Sequence, residues 1–118
     1  MVRITQELLR RRAEHNEGIL ADLKEVTLHQ FGIEQIENLA TYCRHLEILY
    51  LQDNLISKIE NLKKLKELKY INLAINNIVQ IEGLEGCESL EKLDLTVNFV
   101  DDLLSVETLK NNIFLRDL

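Results

Sequence analysis

The sequence predicts an α/β solenoid. Short parallel strands stack into one concave sheet, short helices or 3₁₀ turns line the convex side, and a helix closes the amino-terminal end. Three observations predict it. Leucines open three similar stretches at Leu46, Leu68 and Leu90, 22 residues apart. An asparagine recurs at the same place in each, at Asn54, Asn76 and Asn98. Within each stretch apolar residues alternate with others for about the length of a strand, as in LEILYL and LKYINL. A fixed period of this length marks a stacked-repeat architecture.

Residues 1–22 are expected to form the amino-terminal cap that such a stack requires. Thr5 is placed to N-cap a helix, with Ile4 and Leu9 as a hydrophobic staple across it. The helix is predicted to run through ELLRRRAEH and to end near Gly18, with Leu8, Leu9 and Ala13 covering the first repeat. Arg10, Arg11 and Arg12 are balanced by Glu7, Glu14, Glu17 and Asp22, which makes them a solvated helix face.

Residues 23–118 are read as the repeats. The first is weak: Leu23, Val26, Leu28, Phe31, Ile33, Ile36, Leu39 and Tyr42, with Phe31 where the others carry asparagine. The second carries Leu46, Leu49, Leu51, Asn54, Ile56, Ile59, Leu62 and Leu65. The third carries Leu68, Ile71, Leu73, Asn76, Ile78, Ile81, Leu84 and Cys87, and the fourth Leu90, Leu93, Leu95, Asn98, Val100, Leu103, Val106 and Leu109. This is the leucine-rich repeat, LxxLxLxxNxI. Leu115 and Leu118 open a fifth repeat that stops at once, without a cap. The chain is therefore read as a fragment, and its open strand edge invites self-association or a crystal contact.

The asparagines fit a structural ladder. After each strand the chain turns inward and its backbone groups lose water. An amide side chain offers two donors and an acceptor, enough to serve its own turn and the adjacent one.

Residues between the core leucines are expected to face the concave surface. They form rows across the strands: Glu25, Ile48, Tyr70, Lys92 and Asp117; Thr27, Tyr50, Asn72 and Asp94; His29, Gln52, Ala74 and Thr96; and Gln30, Asp53, Ile75 and Val97. The middle is apolar and aromatic and the edges are polar, which is the anatomy of a protein interface with tyrosine anchors. The candidate binding set is Ile48, Tyr50, Gln52, Tyr70, Asn72, Ala74, Ile75, Lys92 and Asp94.

Composition limits the other function classes. A net charge of −6 argues against a general nucleic-acid binder. No apolar run approaches the roughly 20 residues of a membrane helix. The first 16 residues are charged from Arg3 onward, unlike a secretory signal, so an intracellular, soluble protein with free thiols is expected. Cys43 and His45 do not have zinc-pair spacing, and Cys87 occupies a leucine slot. Asp94, Thr96 and Asn98 lack the glycine of a calcium loop. Ser57, Ser89 and Ser105 have no regular histidine and aspartate company, and no phosphate-binding glycine loop exists. No metal, cofactor or catalytic residue is expected, and the protein is read as non-enzymatic.

The exact strings add a resemblance. IENL (59–62) and the short, isoleucine-rich repeat resemble the SDS22-like class. LLRRRAEHN, LHQ, YCRHLEILYLQDNLISKIEN, INLAINNI, LEGCE and LDLTVNF resemble the tilB, or seahorse, family of ciliary dynein-arm assembly factors, across nearly the whole chain. The resemblance implies a protein-interaction module in cytoplasmic preassembly of axonemal dynein arms, in cells with motile cilia or flagella. The implied partners are other assembly factors, chaperones or axonemal dynein chains, and the implied places are the cytoplasm, the cilium or flagellum, and the basal body. Full-length members of that family continue past the repeats into further regions. An SDS22-like regulatory subunit of a protein phosphatase and a structural axonemal or basal-body component are the alternatives.

Overall fold

The computed structural model describes residues 2–13 and 19–100. Four strands, β1 (Glu25–Thr27), β2 (Ile48–Tyr50), β3 (Tyr70–Asn72) and β4 (Lys92–Asp94), form one parallel sheet in chain order. The register follows the repeat: Val26 lies beside Leu49, Leu49 beside Ile71, and Ile71 beside Leu93. Each central residue points into the core, and its two neighbours face the other side. The core is one continuous column of leucine and isoleucine from Leu23 to Leu93. No single unit could bury this column alone; each rung covers the next.

Helix α1 (Gln6–Arg12) closes the amino-terminal end. Thr5 caps it by accepting the Leu8 N–H at 3.1 Å, and Ile4 and Leu9 are both fully buried on either side of the cap. The helix is shorter than the sequence suggests. It stops at Arg12, because the Ala13 N–H turns back to the Arg10 carbonyl at 3.2 Å and tightens the last turn. The expected end near Gly18 lies outside the described residues. A parallel bridge from Val2 to Ile33 and a hydrogen bond from Asn38 Nδ2 to the Ile4 carbonyl tie this segment to the first repeat. Arg3 adds a two-pronged pair with the buried Glu37 carboxylate, at 2.8 and 2.5 Å.

The return segments differ from repeat to repeat. The first contains one turn of α-helix, α2 (Leu39–Tyr42). That turn shifts the inward position by one residue, so Cys43 fills the slot the sequence assigned to Tyr42. Cys43 is fully buried, whereas Tyr42 is only partly so. The second and third segments are successive tight turns rather than helices, closed by Leu65 N–H to the Leu62 carbonyl and Cys87 N–H to the Leu84 carbonyl. Twenty-two residues leave too little chain for a regular helix once the strand and its flanking turns are formed.

A second asparagine ladder runs along the return side, which the sequence pattern did not reveal. Asn38 and Asn61 hold left-handed backbone, at φ 65 and 61. Asn61 Nδ2 donates to the Ile36 carbonyl at 2.7 Å, as Asn38 does to Ile4. The third unit has Gly83 there, at φ 73. A Cβ on it would sit 2.5 Å from the Ile59 carbonyl oxygen, so the backbones meet directly. Leu103, Val106 and Leu109 of the fourth repeat, the expected fifth repeat, Asp117 and the expected open edge lie outside the described residues.

Candidate protein-interaction face

The asparagines of the main ladder sit behind the sheet. Asn54 Oδ1 accepts the N–H groups of Phe31 and Ile33, and its amide donates to the carbonyls of Leu28, Leu51 and Gln52. Asn76 accepts from Ile56 and donates to Leu51, Leu73 and Ala74. Asn98 accepts from Ile78 and donates to Leu73, Leu95 and Thr96. Each asparagine thus serves its own turn and the preceding rung. This explains Phe31: the first repeat has no earlier repeat to serve. The Arg12 guanidinium lies 5.7 Å from the Phe31 ring centroid instead, and Arg12 Nε donates to the Thr27 carbonyl at 2.8 Å.

The face away from the core collects most of the sequence-assigned candidates. Ile48 lies between Glu25 and Tyr70 in one row, with Lys92 beyond. Tyr50 lies between Thr27 and Asn72 in the next, with Asp94 beyond. The Tyr50 and Tyr70 rings meet edge to face, centroids 5.5 Å apart at 64°. Lys92 Nζ stands 5.5 Å from the centre of the Tyr70 ring. Burial, followed by the nearby Asp94 charge, pushes the Tyr70 phenol upward, so it stays neutral and can donate.

Asn72 and Asp94 also have local duties. Asn72 Oδ1 accepts the Ala74 N–H at 3.0 Å, and Asp94 Oδ1 accepts the Thr96 N–H at 3.0 Å and the Thr96 hydroxyl at 2.6 Å. The Thr96 hydroxyl and then its N–H hold the Asp94 carboxyl below its usual range.

The third and fourth rows are not strand residues, contrary to the sequence expectation. His29 lies in a turn after β1. Gln52, Ala74 and Thr96 follow their strands, and Gln30, Asp53, Ile75 and Val97 all adopt left-handed backbone, at φ 55 to 60. The rung-to-rung hydrogen bonds persist to this point, as in Asp53 N–H to the Ala74 carbonyl and Ile75 N–H to the Thr96 carbonyl. The chain then swings inward to place the ladder asparagine. Ile75 therefore stands at the edge of the sheet, away from the tyrosine pair. His29 Nδ1 and Gln52 Oε1 are buried without a hydrogen-bond partner, on neighbouring rungs.

Outside this face the charges pair between repeats. Glu47 lies 3.7 Å from both Lys24 and Lys69, His45 Nδ1 lies 2.5 Å from Glu67, and Lys66 lies 3.3 Å from Glu88. These largely exposed pairs contribute little each to stability. Among the described residues there is no group of three or more histidines, cysteines or acids able to hold a metal, and no helix long and apolar enough to cross a membrane.

The leucine-rich-repeat family profile matches residues 1–118. Over the same residues the chain is 62% identical to dynein axonemal assembly factor 11 of Mus musculus and 65% identical to that of Trypanosoma brucei brucei, covering 25% and 31% of those proteins. It is 58% identical to protein tilB of Drosophila melanogaster, of which it covers 30%. The chain thus spans about a quarter to a third of the curated relatives it matches. Among solved structures it is similar to a chain of the Drosophila melanogaster SNF/U2A′ complex, with a TM-score of 0.81 and 30% identity, over 99% of this chain and 67% of that one. It is also similar to an internalin C2 of Listeria monocytogenes, with a TM-score of 0.72 and 25% identity, over 81% of this chain and 41% of that one.

Proposed function

The chain belongs to the leucine-rich-repeat family, and from that premise we propose that it is a non-enzymatic protein-interaction module in the preassembly of axonemal dynein arms. One observation carries the proposal: over 60% identity along the whole chain to proteins named as axonemal dynein assembly factors, in animals and a trypanosome alike. The work is assigned to the cytoplasm of cells that build motile cilia or flagella. The partners are other assembly factors, chaperones or axonemal dynein chains. Residues 1–22 act as the cap and residues 23–118 as the interaction solenoid.

The binding surface is assigned to the sheet face: Ile48, Tyr50, Gln52, Tyr70, Asn72, Ala74, Lys92 and Asp94, with Ile75 at its edge. Two packed tyrosines with a cation against one of them supply the anchor chemistry that protein interfaces favour. The solved neighbour in a SNF/U2A′ complex supports the idea that a solenoid of this shape can work as one part of an assembly.

The test is copurification from a ciliated-cell lysate, read by mass spectrometry. Dynein chains and assembly factors should come down with the wild-type chain. They should be lost with Tyr50→Ala combined with Tyr70→Ala, while the melting temperature changes little. A phosphatase catalytic subunit as the main partner would move the chain to the phosphatase-regulator alternative. Recovery in detergent-resistant axonemes would favour the structural alternative.

A further inference from the structure

Beside the sheet face, on the turns that flank the asparagine ladder, lies a strip of exposed apolar side chains. Leu55 in the second repeat is 52% exposed, Ile75 in the third is 50%, and Val97 and Phe99 in the fourth are 68% and 69%. These residues immediately precede or follow the ladder asparagines, so the strip climbs the stack rung by rung. Ile75 and Val97 are also β-branched residues in left-handed backbone, a conformation such residues rarely adopt. The polar residues Gln30 and Asp53 hold the same backbone in the first two repeats. The fold itself therefore needs no apolar group there, and strained outward-facing residues of this kind gather at functional surfaces.

At its early end the strip opens into a hollow of about 330 Å³, lined by Gln30, Gly32, Asp53, Asn54 and Leu55. Gly32 leaves this space open, with nothing within 4 Å of where its Cβ would be. The Asp53 carboxylate stands in the lining, held by Gln30 Nε2 at 2.9 Å.

The geometry points to an amphipathic α-helix of a partner protein, laid along the stacking direction, with a lysine or arginine reaching the Asp53 end. Rungs of a parallel sheet repeat at about 4.8 Å. Residues on one face of a helix, at i, i+3 and i+4, rise by about 4.5 to 6 Å. Such a helix stays in step with Leu55, Ile75 and Phe99, one contact per rung. Same-face residues of an extended strand rise by about 6.7 Å and fall out of step by roughly 4 Å across these three rungs. The acidic hollow then selects a basic residue at one end. This surface meets the tyrosine face only at Ile75, and the inference does not rest on that assignment.

The experiment uses two fluorescent peptides of leucine and lysine with identical composition. One places leucine at i, i+3, i+4 and i+7; the other places it at every second position. Binding to the chain is followed by fluorescence anisotropy at physiological salt, and equal charge cancels the general attraction to an acidic protein. The helical pattern should bind at least tenfold more tightly. Ile75→Asn with Val97→Asn should weaken it about tenfold while the melting temperature holds or rises, since asparagine tolerates left-handed backbone. Phe99→Ser repeats the test at an ordinary backbone position, and Asp53→Asn should weaken binding and its salt dependence. Tyr50→Ala with Tyr70→Ala should leave this binding unchanged, which separates the two surfaces. Equal or tighter binding of the alternating peptide, no binding of either, or unchanged binding by the Ile75, Val97 and Phe99 variants would overturn the inference.

Discussion

Replacing Asn76 with leucine isolates what the ladder contributes. The two side chains are similar in size, and the site is 5% exposed, so hydrophobicity alone predicts a gain. The hydrogen bonds predict a loss, but not one from every broken contact. The Leu51 carbonyl keeps the Asn54 amide, the Leu73 carbonyl keeps the Asn98 amide, and the Ala74 carbonyl keeps the Asp53 N–H. Only the Ile56 N–H loses the one acceptor the structure shows for it. A buried donor stranded in this way costs about 1–3 kcal/mol, and the three weakened carbonyls add roughly 1 kcal/mol together. The net cost is about 2–3 kcal/mol after the small apolar gain, which lowers a urea midpoint by about 1–2 M for a domain of this size. Equilibrium urea unfolding measures it, and amide exchange at Ile56 should speed up selectively. A cost below about 0.5 kcal/mol, or unchanged protection at Ile56, would refute the one-stranded-donor account.

Three further outcomes follow from the packing and the charges. Gly86→Ala would put a Cβ 2.0 Å from the Lys63 carbonyl oxygen, and thermal or urea melts should show a loss of about 2 kcal/mol or more. Hydrogen bonding from Arg3 lowers the Glu37 pKa below the ordinary glutamate range, so this carboxylate stabilises the fold above its unfolded value, and the contribution disappears as pH falls through the folded one. Acid melts of wild type should therefore fall more steeply below about pH 4.5 than those of Arg3→Met, and parallel curves would contradict the pairing. Burial pushes both thiols up to about 11, and Cys87 Sγ also lies 3.4 Å from the Leu62 carbonyl. Iodoacetamide at neutral pH should label Cys43 and Cys87 at least about 100-fold faster in denaturing urea than in buffer.

The sequence showed the fold because the repeat is a period, and a period survives individual substitutions. Leu46, Leu68 and Leu90 fixed the register, and the strand partners follow from it. What it hid were local changes of backbone. The α-helical turn at Leu39–Tyr42 added one residue and moved Cys43 into the core, which no spacing rule distinguishes from Tyr42 doing so. The repeat pattern gives Asn38 and Asn61 no role, since that role depends on left-handed backbone and on carbonyls of other segments. Ile75 falls in a concave row when the strand pattern is carried past Leu73, whereas its left-handed backbone puts it in a turn. The apolar edge was hidden for the same reason: alternation predicts faces of a strand and says nothing about the turn that ends it.

The most direct test of the proposed role is the affinity of a copurifying assembly factor or dynein chain for this protein and for its Tyr50→Glu, Tyr70→Glu variant, with melting temperatures taken alongside. The account predicts at least a tenfold loss of affinity with little change in melting. Equal affinity for a variant that remains folded would contradict it and take the sheet face out of the function.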